Sequence, residues 1–301
     1  MDGIVIINKP AGMTSFGVIA RMRKIFEMKK IGHAGTLDPD ATGVLPVCLG
    51  KATRVIEFMM EKDKAYHVVM KLGVVTDTQD ASGKVLSVNR VGAEDEQITK
   101  VINSFVGNIM QIPPMYSAIR IGGERLYEMA RRGCEIARDA RPVSIIAIEG
   151  ISIARSEGDV RATFDVECSK GTYIRTLCND IGARLGCGGH MESLVRTRSG
   201  RFLLKDAFTL EDLEAKKKDG TLQNLILGME TALVGLPSCA VSEDEKRKLR
   251  NGLTIRCLCS AVKPGDLVRI HGDGLEFLAI GKALGDGSEL MLKSHKWLEG
   301  T

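Results

Sequence analysis

Residues 28–50 read MKKIGHAGTLDPDATGVLPVCLG, and nothing in them repeats with the period of a helix or of an alternating strand. Four glycines and two prolines punctuate the stretch, so it reads as one long loop. Ordinary connections run ~4–6 residues, and much longer ones tend to carry function. Asp38 sits in the middle, in GTLDPDATG (35–43), with His33 and Asp40 close by. An aspartate before a proline commonly just shapes a turn. A carboxylate on a loop beside basic segments, however, suits nucleophilic or acid–base work. The following GVLPVCLGKAT (43–53) is a poor phosphate loop, because six residues including a proline separate its glycines where four are needed.

Working outward, GIVIIN (3–8) reads as a short strand. Thr14 or Ser15 then caps a helix striped by Val18, Ile19, Met22, Ile25 and Phe26. Residues 64–73 predict a strand with Tyr66, Val68, Met70 and Leu72 on one face, and residues 94–106 a helix stopped by Gly107. QIPPMYSA (111–118) cannot be helical, given its two prolines. Strands fit 143–154 and 160–168, and a helix fits 172–185 with Thr172 as cap and Gly186 as stop. Without a regular βαβ rhythm, the mixture favours α+β. From about residue 234 the texture changes to short strands separated by PGD and GDG turns, which reads as a small β module.

Arg175, on the predicted 172–185 helix, has no acidic neighbour three or four residues away. It flanks the stripe of Ile174, Leu177, Cys178 and Ile181. A half-buried guanidinium needs a carboxylate from elsewhere in the fold, and Asp38 is one that could supply it. Asp77 and Asp80, in TDTQDASG (76–83), read as part of a polar turn.

The chain has 301 residues, 42 Lys+Arg against 38 Asp+Glu, and 44% hydrophobic residues, which excludes disorder and fibrous repeats. No apolar run reaches the ~20 residues of a spanning helix, and the start MDGIVIINKPAG lacks a signal-peptide pattern. A cytoplasmic protein with thiols rather than disulfides is therefore expected. Cys187 with His190, and Cys257 with Cys259, each lack the second half of a zinc site, so no metal is expected. The positive charge gathers in two tracts. Residues 120–141 hold six arginines against four acids, and residues 190–205 carry Arg196, Arg198, Arg201 and Lys205 against Glu192 alone. Either tract suits a phosphate backbone as well as an ordinary solvated face. The four tyrosines all lie between residues 66 and 173.

GHAGTLDPDATGVLPVCLGKATR (32–54) resembles the signature of the TruB family of tRNA pseudouridine synthases. The likeness continues in KAY (64–66), GVVTDTQDASG (73–83), QIPPMYSAIRIGGERLYEMAR (111–131), CSKGTYIRTLCNDIGARLG (168–186) and LVRTRSGRF (194–202). The C-terminal segment is similar to the small RNA-binding β module called PUA. The resemblance implies an α+β fold with a central mixed, mainly antiparallel sheet, a catalytic domain over 1–233 and a PUA-like barrel over 234–301. It implies conversion of uridine 55 in the tRNA T-loop to pseudouridine, without cofactor or metal, by a monomer with no obligate protein partner. Asp38 would be the catalytic aspartate, as nucleophile or as base. Tyr66 would stack on the flipped uracil and Arg175 would pair with Asp38. His33 would hold the extruded nucleotide or fill its place. With the basic tracts, it joins Arg120, Arg131, Arg132, Lys170, Arg196 and Arg198 as an expected RNA contact. Arg120 stands where the family often has lysine. Two other readings stay open: an RNA-binding protein that keeps the scaffold without chemistry, and a nucleoside glycosidase.

Overall fold

The Lys64–Leu72 strand alternates as its spacing predicts, with Tyr66, Val68, Met70 and Leu72 turned into one core. The computed structural model describes residues 1–259, 262–285 and 289–299, with every side chain in those ranges except that of Arg131. Within them, Lys64–Leu72 lies near the middle of the main sheet, antiparallel to Gly189–Ser199 on one side and to Asp159–Cys168 on the other. Arg141–Ser156 and Gly107–Gln111 continue beyond Asp159–Cys168. Beyond Gly189–Ser199 come Thr42–Leu49 and the Gly3–Lys9 strand. Thr42–Leu49 runs parallel to Gly189–Ser199, through Val195 opposite Thr42 and Arg196 opposite Gly43. The fold is α+β with a mixed, mainly antiparallel sheet, as the resemblance implied.

Three local expectations change. The 28–50 stretch is not one loop: Ile31–His33 and Thr42–Leu49 are strands, leaving only residues 34–41 between them. From Gly43 to Leu49 every residue is buried, and a strand covered on both faces shows no alternation to read. Gly189–Ser199, read above as part of a basic tract, is a strand well inside the sheet. The Ile174–Arg184 helix takes Tyr173 as its N-cap rather than Thr172, whose hydroxyl donates instead to the Ser169 carbonyl at 2.9 Å. Thr14 does cap the Ser15–Ile25 helix, accepting from the Gly17 N–H at 2.9 Å.

After residue 234, five strands form a second sheet in the order Ser238–Ala240, Leu267–His271, Phe277–Leu284, Met291–Trp297 and Thr254–Arg256. Its own core includes Val268, Ile270, Leu278 and Leu292. The module is fastened to the main sheet: Ile280 and Leu298 pack in one cluster with Ile4, Ile6, Val44 and Phe202. Glu230 meets Arg269 at 2.6 Å and His271 at 2.8 Å across the junction. Here the cysteines depart from expectation, since Cys239 and Cys259 are joined as a disulfide while six others are thiols. His190 is committed to the Val74 carbonyl at 2.9 Å. No helix among the described residues is long and apolar enough to cross a membrane.

Candidate active site

The Ile174–Arg184 helix buries Ile174, Leu177, Cys178 and Ile181, and this packing carries Arg175 inward beside them. Its side chain is 6% exposed. The guanidinium grips Asp38 with two nitrogens, Nε to Oδ2 at 2.9 Å and Nη2 to Oδ1 at 3.3 Å. It also donates to the carbonyls of Tyr116 at 2.9 Å and Thr78 at 3.2 Å. Asp80 approaches from the far side at 3.5 Å. Asp80 is itself held by the hydroxyls of Thr78 at 2.7 Å and Ser82 at 2.6 Å. Two carboxylates thus share one buried cation, and only Asp38 keeps a substantial open face, at 37% exposure. Burial pushes the Asp38 carboxyl above its ordinary value, while Arg175 pulls it back, Asp80 pushes it further up and Lys9 pulls it down.

The 34–41 loop that presents Asp38 is braced along its length. The Ser15 hydroxyl accepts from the Leu37 N–H at 2.9 Å and donates to the Leu37 carbonyl at 3.2 Å. Lys9 is fully buried, and its Nζ donates to the carbonyls of Pro10 at 2.7 Å, Met13 at 2.6 Å and Pro39 at 2.7 Å. Burial lowers the Lys9 pKa to about 8 against the opposing pull of Asp40 and Asp38. Arg196 donates to Gly35, Thr36 and Val44, so both ends of the loop hang from one side chain. Gly43 follows from that crossing. Its φ is +101°, and a Cβ there would lie 2.3 Å from the Arg196 carbonyl oxygen.

Tyr66 is 9% exposed on the central strand, directly opposite Arg196 on the neighbouring strand. Burial raises its phenol pKa, with Arg196 pulling the other way. His33 is partly buried, and its Nδ1 finds no partner among the described residues. Burial and the Arg196 cation lower its pKa. Asp38 and Arg175 are thus in direct contact, while Tyr66 feels the charges of Asp38 and Arg196 and His33 that of Arg196, the four residues coming from four separate elements.

The other expected RNA contacts spread outward. Arg120 is exposed on a two-residue strand paired with Glu124–Arg125. Arg132 and Lys170 are exposed and ion-paired with Glu124 and Glu61. Arg198 pairs with Glu167 at 2.5 Å. The Arg131 side chain lies outside the described residues. Arg196 departs most from expectation: at 1% exposure it cannot lie on an RNA-facing surface. The bulge between Arg196 and Arg198 breaks the alternation that would put both on one face, so that Arg196 stands opposite Tyr66 and Arg198 opposite Ala65.

Two family models cover the chain from residue 23 to residue 234. The first, the N-terminal domain of TruB family pseudouridylate synthases, matches residues 23–174. The second, the tRNA pseudouridylate synthase B C-terminal domain, matches residues 175–234. The chain belongs to the TruB family. Its enzymatic class is that of a pseudouridine synthase. A relative from Clostridium perfringens named tRNA pseudouridine synthase B is 46% identical over 286 residues, covering 94% of this chain and 95% of the relative. One of the same name from Heliobacterium modesticaldum is 44% identical over 299 residues, covering 99% and 94%. Among solved structures, a Cbf5–Nop10–Gar1 complex contains a chain 32% identical at a TM-score of 0.75, covering 99% of this TruB-family chain and 85% of that one. An H/ACA ribonucleoprotein bound to a substrate RNA containing 2′-deoxyuridine gives 30% identity at a TM-score of 0.74, with the same coverage.

Three site residues escape a reading of the sequence by local pattern. Asp80 reaches Arg175 across 95 positions, and Lys9 and Ser15 hold the loop from the N-terminal segment. A signal was present for Lys9, a lysine directly before Pro10 at the end of an apolar strand, where a solvated cation would not need to be buried.

Proposed function

We propose that the chain isomerises uridine 55 in the T-loop of tRNA to pseudouridine, with Asp38 as the catalytic carboxylate. The observation that carries the reading is the two-point grip of buried Arg175 on a carboxylate that remains open on its other side. The buried guanidinium fixes the orientation of the carboxylate while leaving it accessible, and an RNA-binding surface has no use for a carboxylate facing phosphates. The relatives named above carry the tRNA substrate in their names, and the two basic tracts suit an RNA backbone.

In this reading the target uridine leaves its stack and enters the cleft, with the face of Tyr66 offsetting part of the unstacking at ~1–3 kcal/mol per stacked base. The C1′–N1 bond breaks with Asp38 acting on the sugar, as nucleophile or as base. The uracil turns, C5 bonds to C1′, and the C5 proton leaves to solvent while N1 is protonated. No atom is gained or lost, so no oxidant or reductant is needed. In this reading the enzyme acts as a monomer without an obligate protein partner. Residues 1–233 form the catalytic domain, and the module over 234–301 grips RNA beside it. A tRNA substrate also fits the cytoplasmic setting expected from the sequence.

The test uses an unmodified tRNA transcript tritiated at uracil C5. One tritium per tRNA should be released, a transcript with cytidine at position 55 should release none, and no free uracil should appear. Release from the cytidine-55 transcript would refute the position, and free uracil would favour glycosidase chemistry.

A further inference from the structure

Arg196 is among the largest fully buried side chains of the described residues, and no carboxylate among them pairs with it. A buried guanidinium without a carboxylate is expensive, and burial lowers its pKa accordingly. A neutral amide could satisfy carbonyls at less desolvation cost, so either the charge or the five-donor fork is put to use.

Its contacts show the fork in use. Nε donates to the Val44 carbonyl at 2.6 Å, Nη2 to Gly35 at 3.0 Å and Nη1 to Thr36 at 3.3 Å. Gly35 and Thr36 begin the Asp38 loop and Val44 follows it, so the fork ties the loop shut at its base. The backbone of Arg196 faces Gly43 on one side and Tyr66 on the other, in direct register with each. Directly opposed residues on neighbouring strands hold their Cβ atoms within about 5 Å, close enough for the guanidinium to reach the Tyr66 phenol oxygen. Both side chains are buried, Tyr66 at 9% and Arg196 at 1% exposure, so ring and guanidinium lie side by side on the inner face of the sheet.

We infer that Arg196 is a positioning residue for the isomerisation: one guanidinium fixes the Asp38 loop and the Tyr66 hydroxyl relative to each other. The inference rests on the roles proposed above for Asp38 and Tyr66. It replaces the RNA contact expected of this arginine with a role behind the reacting groups. Lysine could keep the charge but not span the acceptors, having three donors on a single nitrogen.

The test compares Arg196→Lys, Arg196→Gln and Asp38→Asn with wild type for folding by circular dichroism, for tRNA affinity by filter binding and for single-turnover tritium release. Arg196→Lys should fold and bind as wild type does and release tritium about 100-fold more slowly, the scale expected for a displacement of about 1 Å at reacting groups. Combining Arg196→Gln with Tyr66→Phe should slow release no further than the larger single effect, because the two groups act as a unit. Multiplying effects, or a wild-type rate for Arg196→Lys, would overturn the inference. So would a loss confined to affinity, or failure of both Arg196 variants to fold. Asp38→Asn separates the two claims: its activity would refute the role of Asp38, whereas its silence beside a fully active Arg196→Lys would refute only the positioning role.

Discussion

The cations around Asp38 and those of residues 120–141 belong to one chain and face opposite physical problems. Arg175 and Arg196 are buried at 6% and 1% exposure, and backbone carbonyls accept two hydrogen bonds from the first and three from the second. Arg132 is 57% exposed and answers to Glu124 in water. A buried fork of donors has one geometry available and transmits it, whereas an exposed ion pair is worth about 0–1 kcal/mol and can be traded for a phosphate. The first kind of arginine sets where reacting atoms lie. The second sets how tightly RNA is held and how steeply that depends on salt.

Substitutions should separate the two regions by which quantity moves. The largest effect after Asp38 itself is expected at Arg175. Arg175→Met removes both bonds to the carboxylate, and single-turnover release should fall by about 100-fold or more at little change in tRNA affinity. It should also move the acid limb of the rate. Asp38 must be ionised to act, and its pKa already lies above the ordinary carboxylate value because of burial. Activity in wild type should therefore fade at a higher pH than a solvent-exposed aspartate would allow. Losing the cation raises that pKa further, so the limb in Arg175→Met should move to higher pH.

Asp80 supplies the opposite sign. Its negative charge raises the Asp38 pKa, so Asp80→Asn should move the acid limb to lower pH. The rate itself should fall by about 10-fold, on the order of 1.4 kcal/mol, as Arg175 loses its second carboxylate, an ion-pair partner at 3.5 Å. Limbs moving in the same direction in the two variants would break the electrostatic account of the site.

The smallest effect is expected outside. Arg132→Ala should leave single-turnover release intact, weaken tRNA binding modestly, and lower the slope of log affinity against log salt by about 1. A change in the chemical rate without a change in salt slope would dissolve the distinction between the two regions.

Legibility in the sequence followed the same division. Lys64–Leu72 could be read because one of its faces is core and the other is not. Asp38 and Arg175 could be paired because a helical arginine with no local acid must look elsewhere, and the family motifs then agreed. Thr42–Leu49 could not be read, since a strand buried on both faces carries no period. Arg196 was misread for a related reason. In composition it looks like its neighbours Arg198 and Arg201, and only the register against Tyr66 shows that it points inward. Asp80 was hidden by distance along the chain, and its own turn accounts for it locally through Thr78 and Ser82. The Cys239–Cys259 link likewise joins two segments that no local pattern pairs.

The most direct measurement of the central claim is tritium release and tRNA affinity for Asp38→Asn in the same preparation. The amide keeps the size of the side chain and removes its charge. We expect wild-type binding with release abolished even at single-turnover enzyme excess. Release by Asp38→Asn at a rate near that of wild type would contradict the assignment of the chemistry to this carboxylate.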